Sequence, residues 1–365
     1  MKGSFRLGTI AGIGVFVHWT FSILIAYIIF SSYRQGADLY QTLWLLLFVL
    51  SIFVTVFLHE LGHATAARRY HIKTRDITLL PIGGVARLDR MPEKPLEELV
   101  VALAGPAVNV IIAVVCAFMV RLPETPEEIQ AQLSGAIHAG NFMLNFILVN
   151  LWLSVFNLLP AFPMDGGRVL RAILSMRMSR VQATRIAVRT GQLLAIGFVF
   201  AGFYINPFLI FIGLFVLLGA QAELESVKAG YFMKGYQVGQ ITMKHYESLE
   251  VRQNIGEAVS KILNGQCKTF LINDNGTPVG TLNREGIIKA LAERGHQVLI
   301  ADVMNPDLLS FDSSTPVEEA YRKMTEHHAD MALVSQHGNI LGVIDTENIL
   351  EFIMIQSALE QRSTS

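Results

Sequence analysis

Residues 59–63 read His59-Glu60-Leu61-Gly62-His63, an H-E-x-x-H motif at the end of the charge-free run Leu39 to Leu58. On a helix, positions i and i+4 lie on one face, so both imidazoles can grip one metal ion while Glu60 projects beside it. A catalytic zinc takes three protein ligands and keeps a fourth position for water. Asp165 is the expected third ligand. It lies in Asn157-Leu158-Leu159-Pro160-Ala161-Phe162-Pro163-Met164-Asp165-Gly166-Gly167, where two prolines must end the preceding apolar helix and free the backbone to turn inward. The alternative for Asp165 is an N-cap for a helix starting at Arg168. Asp76, Asp89 and Glu98 are competing carboxylates, but their charged connection reads as solvated. The chemistry that this set supports is metal activation of water inside a bilayer.

Composition demands the bilayer. The chain has 365 residues, 52% of them hydrophobic and 16% charged, with a mean hydropathy of +0.43, too apolar for an ordinary soluble enzyme. Charge-poor stretches run to about Ala222 and mixed globular sequence follows, which puts a domain boundary near residues 225–238. A net charge of -1 gives no basic field, so nucleic acid is not an expected partner. Cys116 and Cys267 fall in different regions and read as small buried hydrophobes in a reducing compartment. Lys2 and Arg6 precede an apolar stretch with no clean cleavage pattern, so a first spanning helix is expected rather than a removed leader.

Hydropathy predicts six spans, near Val15 to Phe30, Thr42 to Ala67, Leu99 to Val120, Phe142 to Leu159, Ala187 to Ile205 and Pro207 to Leu224. The last two meet at Asn206-Pro207, a turn signal. Basic residues set the expected orientation. Seven of them, from Arg68 to Lys94, follow the second span, and Arg168, Arg171, Arg177, Arg180, Arg185 and Arg189 follow the fourth, which makes those loops cytoplasmic. The opposite loops carry Arg34 and Arg121 as strong cations, with Glu124, Glu127 and Glu128 between the third and fourth spans. Both termini are then cytoplasmic in a multi-pass protein of the cell membrane. His59 lies nine residues before Arg68, roughly 13 Å of helix from the cytoplasmic rim. The Arg168 to Arg189 stretch reads as an anchor on anionic lipid.

The C-terminal part repeats itself. Val238 to Met243 is echoed by Ile300 to Met304, and Thr269 to Leu271 with Val279 to Leu282 by Ala332 to Val334 with Leu341 to Ile344. Each unit reads as helix, strand, turn, strand, helix, with turns at Asn273-Asp274-Asn275-Gly276 and Gln336-His337-Gly338-Asn339. At this length and pattern, residues 236–358 resemble a tandem pair of CBS domains, a regulatory module that often binds adenine nucleotides. Nucleotide-binding copies end their second strand with Ser or Thr and, three residues later, an Asp for the ribose. Here those positions are Asn283 and Gly286, then Asp345 and Asn348, so the resemblance implies dimerisation or substrate docking ahead of an adenine nucleotide ligand.

The H-E-x-x-H motif, Asn157 through Gly167, and Gly105-Pro106-Ala107-Val108-Asn109 in the third span together resemble the site-2 protease family of intramembrane zinc metalloproteases. The resemblance covers essentially the whole chain. It implies one Zn2+ per chain held by His59, His63 and Asp165, with Glu60 as general base. Asn157 lies about two turns before Asp165, where its amide could donate to a tetrahedral oxyanion; the alternative is a helix-to-helix hydrogen bond. The expected fold is a six-helix α-helical integral membrane domain, 1–225, a linker, 226–237, an α/β pair of CBS domains, 238–297 and 298–358, and a tail, 359–365. The expected activity is hydrolysis of peptide bonds in or near transmembrane segments of membrane-protein substrates, within the lipid bilayer, as in regulated intramembrane proteolysis. A homodimer through the CBS domains is a further expectation.

A helical substrate hides its carbonyls, so it must unwind before cleavage. Ile77 to Leu80, Pro81 and Ile82-Gly83-Gly84-Val85-Ala86 read as an extended segment able to pair with it. The competing reading is a CBS-regulated transporter or channel with a metal site. Transport folds pair two broken helices, whereas this chain shows one broken segment, near Pro160. No G-x-S-G string lies in a span, and Asp165 has no aspartate partner in another, which disfavours serine and aspartyl chemistry.

Overall fold

The helix that carries the motif starts where local chemistry says it must. Asp38 accepts from the Gln41 amide at 2.7 Å, and the Gln41 side chain accepts from the Asp38 amide at 3.2 Å, a reciprocal cap for α2 (Leu39–Arg69). In this computed structural model residues 3–81, 83–121, 123–265 and 267–363 are described; Lys2 and Ile82, which figure in the expectations above, lie outside them. The chain divides into two compact units, Met1–Leu224 and Glu225–Ser365.

In the first unit β1 (Ser4–Ile10) and β2 (Ile13–His18) precede α1 (Thr20–Arg34), and β3 (Thr74–Leu80) and β4 (Gly83–Leu88) follow α2. They form one sheet of order β1-β2-β3-β4, antiparallel except for the β2-β3 pair. α1 and α2 are therefore the crossover between two parallel strands. β4 is an edge strand. The expected first span is corrected here: residues 15–18 are strand. Gly3, Gly8, Gly12 and Gly14 disfavour helix before Thr20, and Ile13, Val15 and Val17 alternate with strand period.

Next come α3 (Pro95–Met119), α4 (Pro126–Leu133), α5 (Phe142–Asn157), α6 (Asp165–Ser175), α7 (Arg180–Tyr204) and α8 (Phe208–Met233). Pro95 opens α3 with Glu97 and Glu98 in its first turn, a start that suits both the ring and the helix dipole. Among the described residues four helices, α2, α3, α7 and α8, are long and apolar enough to cross a membrane. The six expected by hydropathy become four by length. α1 and α5, with 15 and 16 residues, reach only about 22–24 Å against a hydrocarbon core of about 30 Å.

In the second unit the last turns of α8 carry Phe232 and Met233 into a buried cluster, so residues 226–233 of the expected linker are helical. The rest is β5 (Ser248–Glu250), α9 (Ile255–Asn264), β6 (Thr269–Asp274), β7 (Thr277–Asn283), α10 (Arg284–Arg294), β8 (Leu309–Asp312), α11 (Val317–Glu326), β9 (Met331–Gln336), β10 (Asn339–Asp345) and α12 (Thr346–Ser363). Two three-stranded sheets result, β5-β6-β7 and β8-β9-β10. Asn275-Gly276 and His337-Gly338 all have positive φ, the mirror-image turn that matches strand twist. Each repeat buries its own core, around Phe270 and Ile272 in one and Val334 and Ile344 in the other. Leu271, Met331 and Val343 pack between the repeats. Paired amides at Met243 and Val343, and at Thr281 and Asn305, knit them further.

Cys116 and Cys267 are free and partly buried. The Cys267 thiol donates to the Thr269 carbonyl at 3.0 Å, and burial pushes it above the usual thiol range. Its thiolate fraction at pH 8 is therefore below that of a free cysteine. In a Cys116→Ala chain, iodoacetamide should label Cys267 more slowly than it labels glutathione, with a rate still climbing above pH 9. Labelling as fast as glutathione at pH 8 would contradict this.

Candidate metal centre

His59 and His63 lie on the face of α2 that meets α3, and small residues let the two helices come close. A Cβ on Gly62 would lie 2.8 Å from the Ala104 carbonyl. Each ring is pinned from behind. His59 Nδ1 donates to Asn109 Oδ1 at 3.1 Å, and His63 Nδ1 to the Val101 carbonyl at 2.7 Å. Both acceptors belong to α3. With the protons on Nδ1, the two Nε2 lone pairs face inward, 3.1 Å apart.

Asp165 completes the set. Its Oδ2 lies 3.2 Å from His59 Nε2 and 3.1 Å from His63 Nε2, and all three groups are buried. Three inward lone-pair donors with no proton among them call for a cation. The edge of a zinc tetrahedron with bonds of about 2.0–2.1 Å is about 3.3 Å, close to all three separations. Room is left as well: a Cβ on Gly105 would stand 2.3 Å from His63 Nε2 and 2.6 Å from His59 Nε2. The residues present thus fit a metal ion. Among the described residues no other three histidine, cysteine or carboxylate groups come together in this way.

The segment before Asp165 explains how it reaches the site. α5 ends at Asn157, the chain passes Pro160 and Pro163, and α6 begins at Asp165 itself. Asp165 is therefore not the cap of a later helix. The following glycines permit the fold-back: a Cβ on Gly166 would lie 2.2 Å from the Leu159 carbonyl. Arg168, one turn on, places Nη1 3.6 Å from Asp165 Oδ1, so the carboxylate is held at its far oxygen.

Of the competing carboxylates, Asp89 is exposed as expected, whereas Asp76 and Glu98 are not solvated. Asp76 is buried against Arg87, and Glu98 is buried against Arg171 and Arg180, while Asp89 pairs with Arg75 at 2.6 Å. Arg171 is fully buried and Arg168 serves Asp165, so the arginine-rich stretch is not simply a lipid anchor. The cations that sequence reasoning assigned to headgroups are, in part, internal partners.

Glu60 is half-buried. Its Oε2 accepts from the Ala86 amide of β4 at 3.1 Å, and a Cβ on Gly84 would stand 2.7 Å from its Cγ. The edge strand thus lies against this carboxylate. Asn157 is not brought into the cluster: its Nδ2 donates to the Leu153 carbonyl one turn earlier at 2.9 Å. Asn109 and Gly105 are contributors that sequence reasoning left without a role at the site, and Arg168 is one that it assigned to lipid. An amide in an apolar span was the available signal for Asn109.

In the tail, Asn283 and Asp345 cap the helices that follow them, accepting from Gly286 at 2.8 Å and Asn348 at 2.7 Å. They line a polar cleft of about 320 Å³ with Lys268, Arg284, Asp330 and Glu347. Within it Lys268 pairs with Glu347, and Asn283 donates to Asp330 at 2.5 Å.

Comparison with known proteins agrees with these features. The pattern of Peptidase family M50 matches residues 47–200, and that of the CBS domain matches residues 300–355. Zinc metalloprotease MJ0392 of Methanocaldococcus jannaschii is 32% identical over 99% of both chains. Stage IV sporulation protein FB of Bacillus subtilis is 31% identical over 39% of this chain and 45% of its own. The solved site-2 protease from Methanocaldococcus jannaschii is 38% identical, covers 60% of this chain and 95% of its own, and has a TM-score of 0.44. With that identity to a zinc metalloprotease along nearly its whole length, and with a buried His-His-Asp cluster that could hold a metal ion, the chain belongs to peptidase family M50, the site-2 proteases, and is a zinc metalloprotease carrying a CBS domain.

Proposed function

We propose that the chain is an intramembrane endopeptidase that hydrolyses peptide bonds in or near transmembrane segments of membrane proteins, as in regulated intramembrane proteolysis. The observation that carries this is the convergence of His59, His63 and Asp165 beside Glu60 on an apolar helix of 31 residues. His59, His63 and Asp165 hold the zinc. Bound there, zinc would lower the pKa of a water to about 7 and polarise the scissile carbonyl. Glu60 is the general base. Its Oε2 is engaged by the Ala86 amide, so Oε1 takes the proton and later returns it to the leaving amine. Asn157 turns from the Leu153 carbonyl to donate to the oxyanion when substrate is bound.

In this reading α1 and α5 complete six crossings, the short helices being met by local thinning of the bilayer. The loops after α2 and α5, both termini and the CBS tail lie in the cytoplasm. Unwound substrate adds to the free edge of β4, next to Glu60. The tail serves as a dimerisation or docking module, since Asn283 with Gly286, and Asp345 with Asn348, depart from the ribose-binding pattern in both repeats.

Three measurements test this. Glu60→Gln should keep its zinc and cleave a transmembrane substrate about 10²–10⁴-fold more slowly, whereas Asp165→Asn should lose metal; equal cleavage by Glu60→Gln and wild type would sink the mechanism. In the Glu60→Gln background, Val85→Cys on β4 should form disulfides with substrate cysteines at alternate positions, the period of a strand. A three- to four-residue period, or no disulfide, would remove strand addition. Calorimetry of the full chain with ATP and with AMP should give no binding heat; saturable heat would restore nucleotide control through the tail.

A further inference from the structure

One group of buried charges has no part in the chemistry above. Arg171 of α6, with no exposed surface, donates from Nε to Glu98 of α3 at 2.7 Å and from Nη1 to Glu223 of α8 at 2.5 Å. Its guanidinium also stands 5.0 Å from the Phe162 ring centre. Arg180 adds a contact to Glu98 at 3.3 Å. Such a cluster contributes little net stability, because desolvation offsets the attraction. What it does supply is position, since the planar fork of an arginine accepts carboxylates only along fixed directions.

Two contacts of α8 fall on either side of Asp165 along the chain, at Pro163 and at Arg171. Glu223 reaches Arg171, six residues after the ligand. One turn earlier on α8, a Cβ on Gly219 would lie 2.6 Å from Pro163 Cδ, so the α8 backbone rests against a residue two places before the ligand. Between them, Phe162 packs with Ala220 and Leu224, and Met164 with Val216. The histidines, by contrast, take their orientation from α3 through Asn109 and Val101.

We infer that α8 is the positioning element for the third ligand, clamping the Asp165 segment at Pro163 and at Arg171, with Gly219 and Glu223 as its positioning residues. The inference rests on the reading of Asp165 as a zinc ligand. Metal-ligand distances tolerate shifts of only about 0.2 Å, so small movements of α8 reach the metal. The same helix continues to Phe232 and Met233 in the core of the tail, which makes it the covalent route from tail to ligand.

The test uses the full chain in detergent and reads zinc affinity by chelator competition, together with the visible spectrum of the Co2+-loaded protein, which reports ligand geometry without turnover. Gly219→Ala and Glu223→Gln should each weaken zinc binding by about 10–100-fold and shift the Co2+ bands. Gly280→Ala is the matched control: its Cβ would press on the Asn305 carbonyl within the tail, at 2.6 Å, instead of on α8. It should lower the melting temperature yet leave zinc affinity within about twofold. Unchanged affinity in both test variants, or equal weakening in the control, would overturn the inference while leaving Asp165 a ligand. Unchanged affinity in Asp165→Asn would overturn the ligand assignment itself and the inference with it.

Discussion

Three lone-pair donors converge on one point inside an apolar helix bundle, and the rest of the first unit is arranged around that constraint. Imidazole nitrogens and a carboxylate about 3 Å apart, with no proton to share, are held only if something turns each of them inward from behind. Asn109 and the Val101 carbonyl do so for His59 and His63, and Arg168 takes the far oxygen of Asp165. These supports act only at close range, which is why α2 and α3 meet at Gly62, where a side chain would strike the Ala104 carbonyl, and at Gly105, where one would occupy the space the rings need. The double glycine after Asp165 answers the same demand on the opposite wall.

How much of this could be read from the chain depends on whether the cause is local. The pairing of His59 with His63 follows from helical period alone, and Asp165 from two prolines that forbid the preceding helix to continue. Glu98 and Asp76 were misjudged because a charged residue in a polar connection is solvated by default. Their partners are distant in sequence, Arg171 lying 73 residues after Glu98. The strand at Ile13–His18 was mistaken for helix because hydropathy registers how apolar a window is, while its glycines and two-residue alternation favour a strand. Asn157 reads as either an oxyanion donor or a helix-to-helix contact, and the fold gives neither: its amide turns back to the Leu153 carbonyl of its own helix.

The tail shows the same division. Its hairpins were legible because Asn-Gly and His-Gly turns specify backbone twist within two residues. The third strands, β5 and β8, span three and four residues and pair in parallel with partners beyond a helix, so no short window contains them. Capping at Asn283 and Asp345 also gives the departures from the nucleotide-binding pattern a structural use. The residues that end each second strand start the next helix, and their side-chain oxygens are engaged by backbone amides.

β4 joins the two demands that cleavage makes. Glu60 must be aimed, and a backbone amide does this without introducing a counter-ion that would itself need a partner in a poorly solvated setting. An unwound substrate must find donors and acceptors for the peptide groups it exposes, which lipid cannot offer. In the proposed strand addition β4 would meet both needs, one of its amides engaging Glu60 and its edge pairing with substrate. Glycine at position 84 suits this contact, since a side chain there would push Glu60 aside.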